Sequence, residues 1–330
     1  MTIIALPGAF AAAEPRAVVS LSPGSAREIW AERRSALEQG GRSSNPDGYH
    51  GGWQSRLLHA ACLGFAGAMR ATGIYARGRR NALSPALVER DFTFFDLPPA
   101  FDGYRILHIT DPHLDCLPEL AGIARNLISG VAVDLVAITG DIHGSRHAPV
   151  VRSTMPLADL LAGPKVRDRV VAVLGNHDPA CMADALEHVG ITPLINESLT
   201  IERDGERLVV TGLDDVHRFY TPAAKQALND APAGFRIALV HSAEIADHAA
   251  AAGFGLYLCG HTHGGQICLP NGRALLTRLR RCHFGAQGEW RAGAMIGYTS
   301  NGLGVGEVPL RFNCRGEVAV ITLRRGATGH

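Results

Sequence analysis

Read along its hydrophobic and polar positions, the chain changes texture near residue 84. Before that point, apolar residues recur at helical spacing over Ser25 to Gln39, and GGRSSNPDG, Gly40 to Gly48, follows as a linker. An apolar segment, LLHAACLGFAGAMRATGIYA, then runs from Leu57 to Ala76. Beyond it come short apolar runs of strand length: YRILHIT before Asp111, DLVAITG before Asp141, RVVAVLG before Asn176, FRIALV before His241 and LYLCG before His261. Each hands over to a residue able to bind a cation. Between them, PELAGIARNLISG and ACMADALEHVG have helical spacing and close on glycine, as helix ends prefer. The repeated order of strand, polar cluster and helix predicts a largely sequential α/β sheet with its reactive loops along one edge. The tail from Glu289 to Arg325 reads as further strands separated by glycine turns. The pattern divides the chain into an N-terminal helical extension, residues 1–84, without recognisable chemistry, and an α/β domain, residues 85–330.

The apolar segment bears on membrane attachment. Its charge-free part, Leu57 to Met69, would span about 20 Å as a helix, against roughly 30 Å of hydrocarbon. Extending it takes in Arg70, at about 2.5 to 3.5 kcal/mol if central. A buried or membrane-surface helix is the expectation, and with it a peripheral contact at the inner membrane. The opening MTIIALPGAFAAAEP lacks a basic n-region and is interrupted by Pro7 and Gly8, unlike a signal peptide.

Lys plus Arg number 32 against 31 for Asp plus Glu, so the net charge of +1 gives no general attraction to nucleic acid, and none is expected to bind. The seven cysteines are scattered and form no C-x-x-C pair, which excludes a disulfide framework or cysteine-based zinc site and suits a reducing, cytoplasmic compartment. GLGVGE, Gly302 to Glu307, misses the dinucleotide fingerprint at its last position. No pattern specifies an oligomeric state.

The fifteen histidines change the picture more, because several fall immediately after the apolar runs. Five clusters result: DPH with Asp111 and His113, GD with Asp141, GNHD with Asn176, His177 and Asp178, His241 in LVHS, and GHTH with His261 and His263. Carboxylate, imidazole and amide without thiolate suit Mn²⁺, Fe or Zn²⁺. Together the clusters hold more such groups than one four-coordinate ion needs. Two ions sharing a carboxylate would use them, with Asp141, the sole carboxylate of its cluster, as the bridge. In extended chain, D-x-H and H-x-H put alternate side chains on one side.

The ordered set DPH, GD, GNHD, H and GHTH resembles the calcineurin-like metallophosphoesterase family over roughly Phe101 to Arg325. The longer stretches GHTHGGQICLPNG and GLGVGEVPLRFNCRGEVAVITL resemble its bacterial branch, which includes membrane-associated phosphoesterases and some UDP-2,3-diacylglucosamine pyrophosphatases. The resemblance implies a four-layer αββα sandwich. It also implies that Asp111, His113 and His263 hold one divalent ion, and Asn176, His241 and His261 another, with Asp141 between them. His177 would sit over the substrate phosphate, and Asp178 would orient its ring. Two features depart from the branch: the interrupted Leu57 to Ala76 segment stands where relatives often carry a transmembrane helix, and Asn301 stands where many carry a basic residue.

The function so implied is hydrolysis of a phosphodiester or pyrophosphate bond by metal-activated water, on a phosphate ester that is either lipid-linked, such as UDP-2,3-diacylglucosamine, or a soluble nucleotide. A catalytically silent metal-binding scaffold is the rival from another class; such chains usually lack part of the motif, which is complete here. A serine hydrolase lacks its G-x-S-x-G elbow. His143 and His147 read as exposed loop residues, TRLRR (Thr277 to Arg281) with His283 as a basic solvated run, and Asp214 and Asp215 as turn formers.

Overall fold

The computed structural model describes residues 18–19, 24–40, 64–145, 148–306 and 308–326. Their elements in chain order are β1 (Val18–Val19), α1 (Gly24–Glu38), α2 (64–71), α3 (Tyr75–Ala82), β2 (Ala86–Phe94), β3 (Arg105–Ile109), α4 (Glu119–Leu127) and β4 (Ala132–Thr139). Then follow α5 (Val151–Leu161), β5 (Lys165–Val173), α6 (Met182–His188), β6 (Thr192–Pro193), β7 (Glu197–Arg203), β8 (Glu206–Gly212) and α7 (Pro222–Asn229). The remainder comprises β9 (Phe235–Leu239), α8 (Ala246–Ala251), β10 (Leu256–Cys259), β11 (Gly288–Ala292), β12 (Met295–Thr299) and β13 (Glu317–Arg325).

All five apolar runs are strands, but they do not share a sheet. One sheet has the order β2-β13-β3-β4-β5-β6 and the other β1-β7-β8-β9-β10-β12-β11. The expectation of one sequential sheet is therefore corrected. The reason is that runs such as LVAIT and IAL are buried on both faces, as strands covered on both sides are, and such runs carry no mark of sheet membership. The chain changes sheets before the β7–β8 hairpin, whose Asp204-Gly205 turn has φ of 50° and 77°, the left-handed pair that two-residue hairpins favour.

The two sheets face each other across a core that includes Leu135, Ala137, Val171 and Val173 on one side and Leu208, Val210, Ile237, Leu239 and Leu258 on the other. Helices α4, α5 and α6 cover the outer face of the first sheet through Leu120, Leu157, Leu160 and Leu186. Helices α7 and α8 cover the second through Leu228 and Ala249. The result is the four-layer αββα sandwich that the resemblance implied. β3, β4 and β5 run parallel to one another, as do β8, β9, β10 and β12, so each sheet gathers its ligand-bearing loops at the carboxyl ends of its parallel strands.

The N-terminal helices pack on this body. α1 forms within one residue of its expected bounds at each end. Of the Leu57 to Ala76 segment, residues 57–63 lie outside the described residues. The rest contributes α2, where Ala66 is buried with Val308 and Leu310. Among the described residues no helix is long and apolar enough to cross a membrane.

Candidate metal centre

Five of the seven residues expected as ligands occupy left-handed backbone: Asp111 (φ 49°), His113 (40°), Asp141 (51°), His261 (70°) and His263 (52°). Such backbone costs of order 1 to 3 kcal/mol per residue and persists where the surroundings over-determine it. Glycines make room beside it. A Cβ on Gly175 would strike Asp141 Oδ1, and one on Gly260 would strike Asp111 Oδ2 and Thr110 Oγ1.

These turns bring together two groups. Asp111, His113 and His263 form one and Asp141, His241 and His261 the other, the ligand atoms within each lying inside 4.8 Å of one another. Asp141 Oδ2 lies 3.6 Å from His113 Nε2 and 3.4 Å from His241 Nε2, between the two. Asn176 Oδ1 joins the second group at 3.2 Å from His241 Nε2. Asp111 Oδ1, His113 Nε2 and His261 Nε2 are buried without any hydrogen-bond partner. Buried polar atoms are rarely left so, and Asp111 and His113 belong to one convergent group, which is what a cation would satisfy. The atoms opposite them are secured: His113 Nδ1 donates to the His143 carbonyl at 3.0 Å and His241 Nδ1 to the Thr139 carbonyl at 2.8 Å, fixing the rings in the tautomer that presents Nε2.

The electrostatics prepare the same centre. Burial holds His113 down to about 4, and burial reinforced by neighbouring imidazoles holds His261 and His263 well below the usual range, so all three rings are neutral near pH 7. Burial opposes the ionisation of Asp141, yet His241, His177 and His113 hold its carboxyl well below the usual range. Burial likewise opposes a charge on His241, but Asp141 and Asp111 outweigh it and raise the ring well above its usual value. Burial and the charge of Asp141 push Asp111 up to about 6.

His177 stands at the edge of this centre, its Nδ1 2.9 Å from the Gly144 carbonyl and its ring 5.3 Å from that of His113. The expectation that Asp178 orients the ring is corrected. Both Asp178 oxygens are spent on backbone, accepting from His143 N at 2.9 Å and Gly175 N at 2.8 Å, so Asp178 pins two loops together. His143 is buried rather than exposed, with Nδ1 2.7 Å from Ser153 Oγ, and its backbone serves both Asp178 and His113. His147 lies outside the described residues. Asp215 is the turn former expected, capping the amides of His217, Arg218 and Phe219, while Asp214 receives Trp30 and Arg34 of α1.

A cleft of about 300 Å³ opens beside His177, Asn176 and Asp141, walled by Phe65 of α2, Ile267, Leu275, Leu276 and Val308, with Arg278 at its side. Arg278 of the basic run and Phe65 of the apolar N-terminal segment therefore line one cleft. No sequence pattern marks this wall, because its members come from three distant segments. His217 was also missed; its ring lies 4.2 Å from that of His261 and its Nδ1 3.1 Å from Glu244 Oε2.

The family model of calcineurin-like phosphoesterases matches residues 104–265, the span from β3 to the GHTHGG loop. An uncharacterised metallophosphoesterase of Bacillus subtilis, YkuE, is 30% identical over 277 residues, covering 78% of this chain and 93% of its own length. A second from the same organism, YkoQ, is 27% identical over 67% of this chain and 83% of its own. Phosphodiesterase YaeI of Escherichia coli is 27% identical over 67% of this chain and 82% of its own. With this likeness along most of its length and a buried, convergent ligand set, the chain belongs to the calcineurin-like metallophosphoesterases, divalent-metal-dependent hydrolases of phosphoric esters.

Proposed function

We propose that the protein hydrolyses a phosphodiester or pyrophosphate bond at a two-ion centre, in which Asp111, His113 and His263 hold one ion, Asn176, His241 and His261 the other, and Asp141 serves both. The observation that carries this is the convergence of two buried ligand groups on either side of Asp141, whose Oδ2 lies 3.6 Å from His113 Nε2 of one and 3.4 Å from His241 Nε2 of the other. Mixed oxygen and nitrogen donors suit Mn²⁺, Fe or Zn²⁺. Such ions supply Lewis-acid charge for the phosphoryl oxygens and lower the pKa of water towards neutrality. The chain's own part is to keep His113, His261 and His263 neutral and Asp141 ionised, and to aim the donors. His177, with Nδ1 engaged by Gly144, keeps Nε2 for the substrate, where a proton on it can stabilise developing charge or pass to the leaving oxygen. Asp178 acts through the backbone, fixing the loop that carries His177.

The apolar wall of the cleft supports a substrate with one hydrocarbon arm. Its volume sits at the small end of ligand sites and suits the first carbons of an acyl chain or one aryl ring. Leu275, 63% exposed, and Leu276, 49% exposed, carry that wall to the surface beside Arg278, a mixture of apolar and basic groups that suits an anionic bilayer. A lipid-linked nucleotide such as UDP-2,3-diacylglucosamine, presented at the cytoplasmic face of the inner membrane, has the matching chemistry. The test is hydrolysis of that compound beside a simple aryl phosphodiester, by metal-stripped protein reloaded with Mn²⁺. Preference for the lipid nucleotide, weakened by Leu276→Asp, supports the reading. Cleavage of the aryl diester alone, with no vesicle binding, leaves a phosphodiesterase acting on soluble nucleotides.

A further inference from the structure

The GNHD loop is gripped from outside the sandwich, by α1. Arg34 lies within that helix, 1% exposed. Its Nη2 donates to the carbonyls of Gly175 at 2.9 Å and Asp178 at 2.7 Å, the residues that flank Asn176 and His177. Nη1 donates to Asp214 Oδ1, Nε donates to Glu38 Oε1 at 3.3 Å, and the guanidinium lies 3.7 Å from the Phe219 ring centre. Glu38, one turn on, accepts from Ala180 N at 2.8 Å. The backbone from 175 to 180 is thus held at three points by two side chains of one helix.

A buried guanidinium is costly unless its charge is paired and its N–H groups are used, and both conditions are met by this arrangement alone. The planar fork matters. One nitrogen spans two carbonyls while the other meets a carboxylate, a geometry that an ammonium cannot reproduce. On its inner side the same loop is tied by Asp178 to the amides of His143 and Gly175 and by His177 N to Asp141 Oδ1, and Arg34 holds it from the opposite side.

We propose that Arg34 is a positioning residue for phosphoester hydrolysis, fixing the loop backbone on both sides of Asn176 and His177 so that their side chains reach the centre in register. This rests on the roles given to those two residues above. It makes the N-terminal extension part of the catalytic apparatus, a use that its sequence does not announce.

The test compares Arg34→Lys and Glu38→Ala with Arg27→Ala in the full chain at saturating Mn²⁺. Arg27 ties the same helix to Glu187 at 3.1 Å and Glu197 at 3.4 Å without touching the loop, so its variant loosens α1 alone. Arg34→Lys should lower kcat on an aryl phosphodiester between about tenfold and a hundredfold with KM within about twofold, as expected of a small misplacement. Glu38→Ala, on a partly exposed residue, should lower kcat about twofold to tenfold. Arg27→Ala should leave kcat intact. Hydrogen exchange of the amides from 175 to 180 requires no turnover and should quicken in the Arg34 and Glu38 variants only. Unchanged kcat well below the melting temperature, equal loss in Arg27→Ala, or unchanged exchange in the loop would each overturn the proposal. An inactive wild type whose loop exchange still responds to Arg34→Lys would instead sink the hydrolytic reading and keep the grip.

Discussion

Asp141→Asn isolates the charge at the middle of the centre. The amide matches the carboxylate in shape, and its oxygen can still accept from His177 N, as Asp141 Oδ1 does at 2.8 Å. What it removes is one buried negative charge, 2% exposed, lying 3.6 Å and 3.4 Å from imidazole nitrogens of the two ligand groups. Two unit charges about 4 Å apart at an effective dielectric near 20 attract by about 4 kcal/mol. With about 1.4 kcal/mol per factor of ten, the carboxylate contributes about a thousandfold in affinity per unit of cation charge beside it, so at least that for a divalent ion. Because Asp141 faces both groups, both ions should weaken. Calorimetric titration of metal-stripped protein with Mn²⁺ should show at least a hundredfold loss for the variant, while circular dichroism and a cooperative melt report a retained fold. Two sites filling with wild-type affinity in Asp141→Asn would refute the reasoning, since no shared charge would then be needed.

Other outcomes follow from neighbouring residues. His177→Ala should lower kcat about a hundredfold to ten-thousandfold while metal content by elemental analysis stays near wild type; loss of both together would contradict its separate role. In the metal-free protein His241 is raised above its usual pKa and Asp111 sits at about 6, so metal uptake at lower pH must displace their protons. Affinity should therefore rise with pH and level off above the raised His241 value, with proton release measured by calorimetry in two buffers; pH-independent binding would contradict this. Gly260→Ala would drive a Cβ into Asp111 Oδ2 and Thr110 Oγ1, and overpacking by about 1 to 3 kcal/mol should appear as a lower urea midpoint together with lost metal. Arg311→Met removes a fully buried guanidinium from the carbonyls of Asn301 at 2.7 Å, Gly302 at 3.0 Å and His263 at 3.2 Å. At about 1 to 3 kcal/mol per orphaned buried group, it should cost more than about 3 kcal/mol by denaturant titration.

Much of the centre was legible because metal ligands are limited in type and fall at strand ends. Asp111, His113, Asp141, His241, His261 and His263 could be picked out by residue type and spacing alone, and they converge. The division of β3, β4 and β5 from β9 and β10 was not legible, since strands buried on both faces look alike whichever sheet they join. Nor was the work of the backbone: Gly144 and His143 act through carbonyls, which leave no side-chain signature. For the same reason Asp178, beside His177 in sequence, looked like its orienting partner, whereas its oxygens face amides. Arg34 was hidden differently. An arginine in an amphipathic helix reads as part of the solvated face, and only the packed structure shows it turned inward to Asp214 and the 175–178 carbonyls.

The most direct test of the central claim is metal stoichiometry set against activity. Stripped protein would be titrated with Mn²⁺, and bound ions per chain and aryl phosphodiester hydrolysis read on the same samples. The account predicts two ions per chain and hydrolysis that is absent in chelator and complete only as the second site fills. Full activity in chelator, or turnover that saturates with no ion bound, would contradict it.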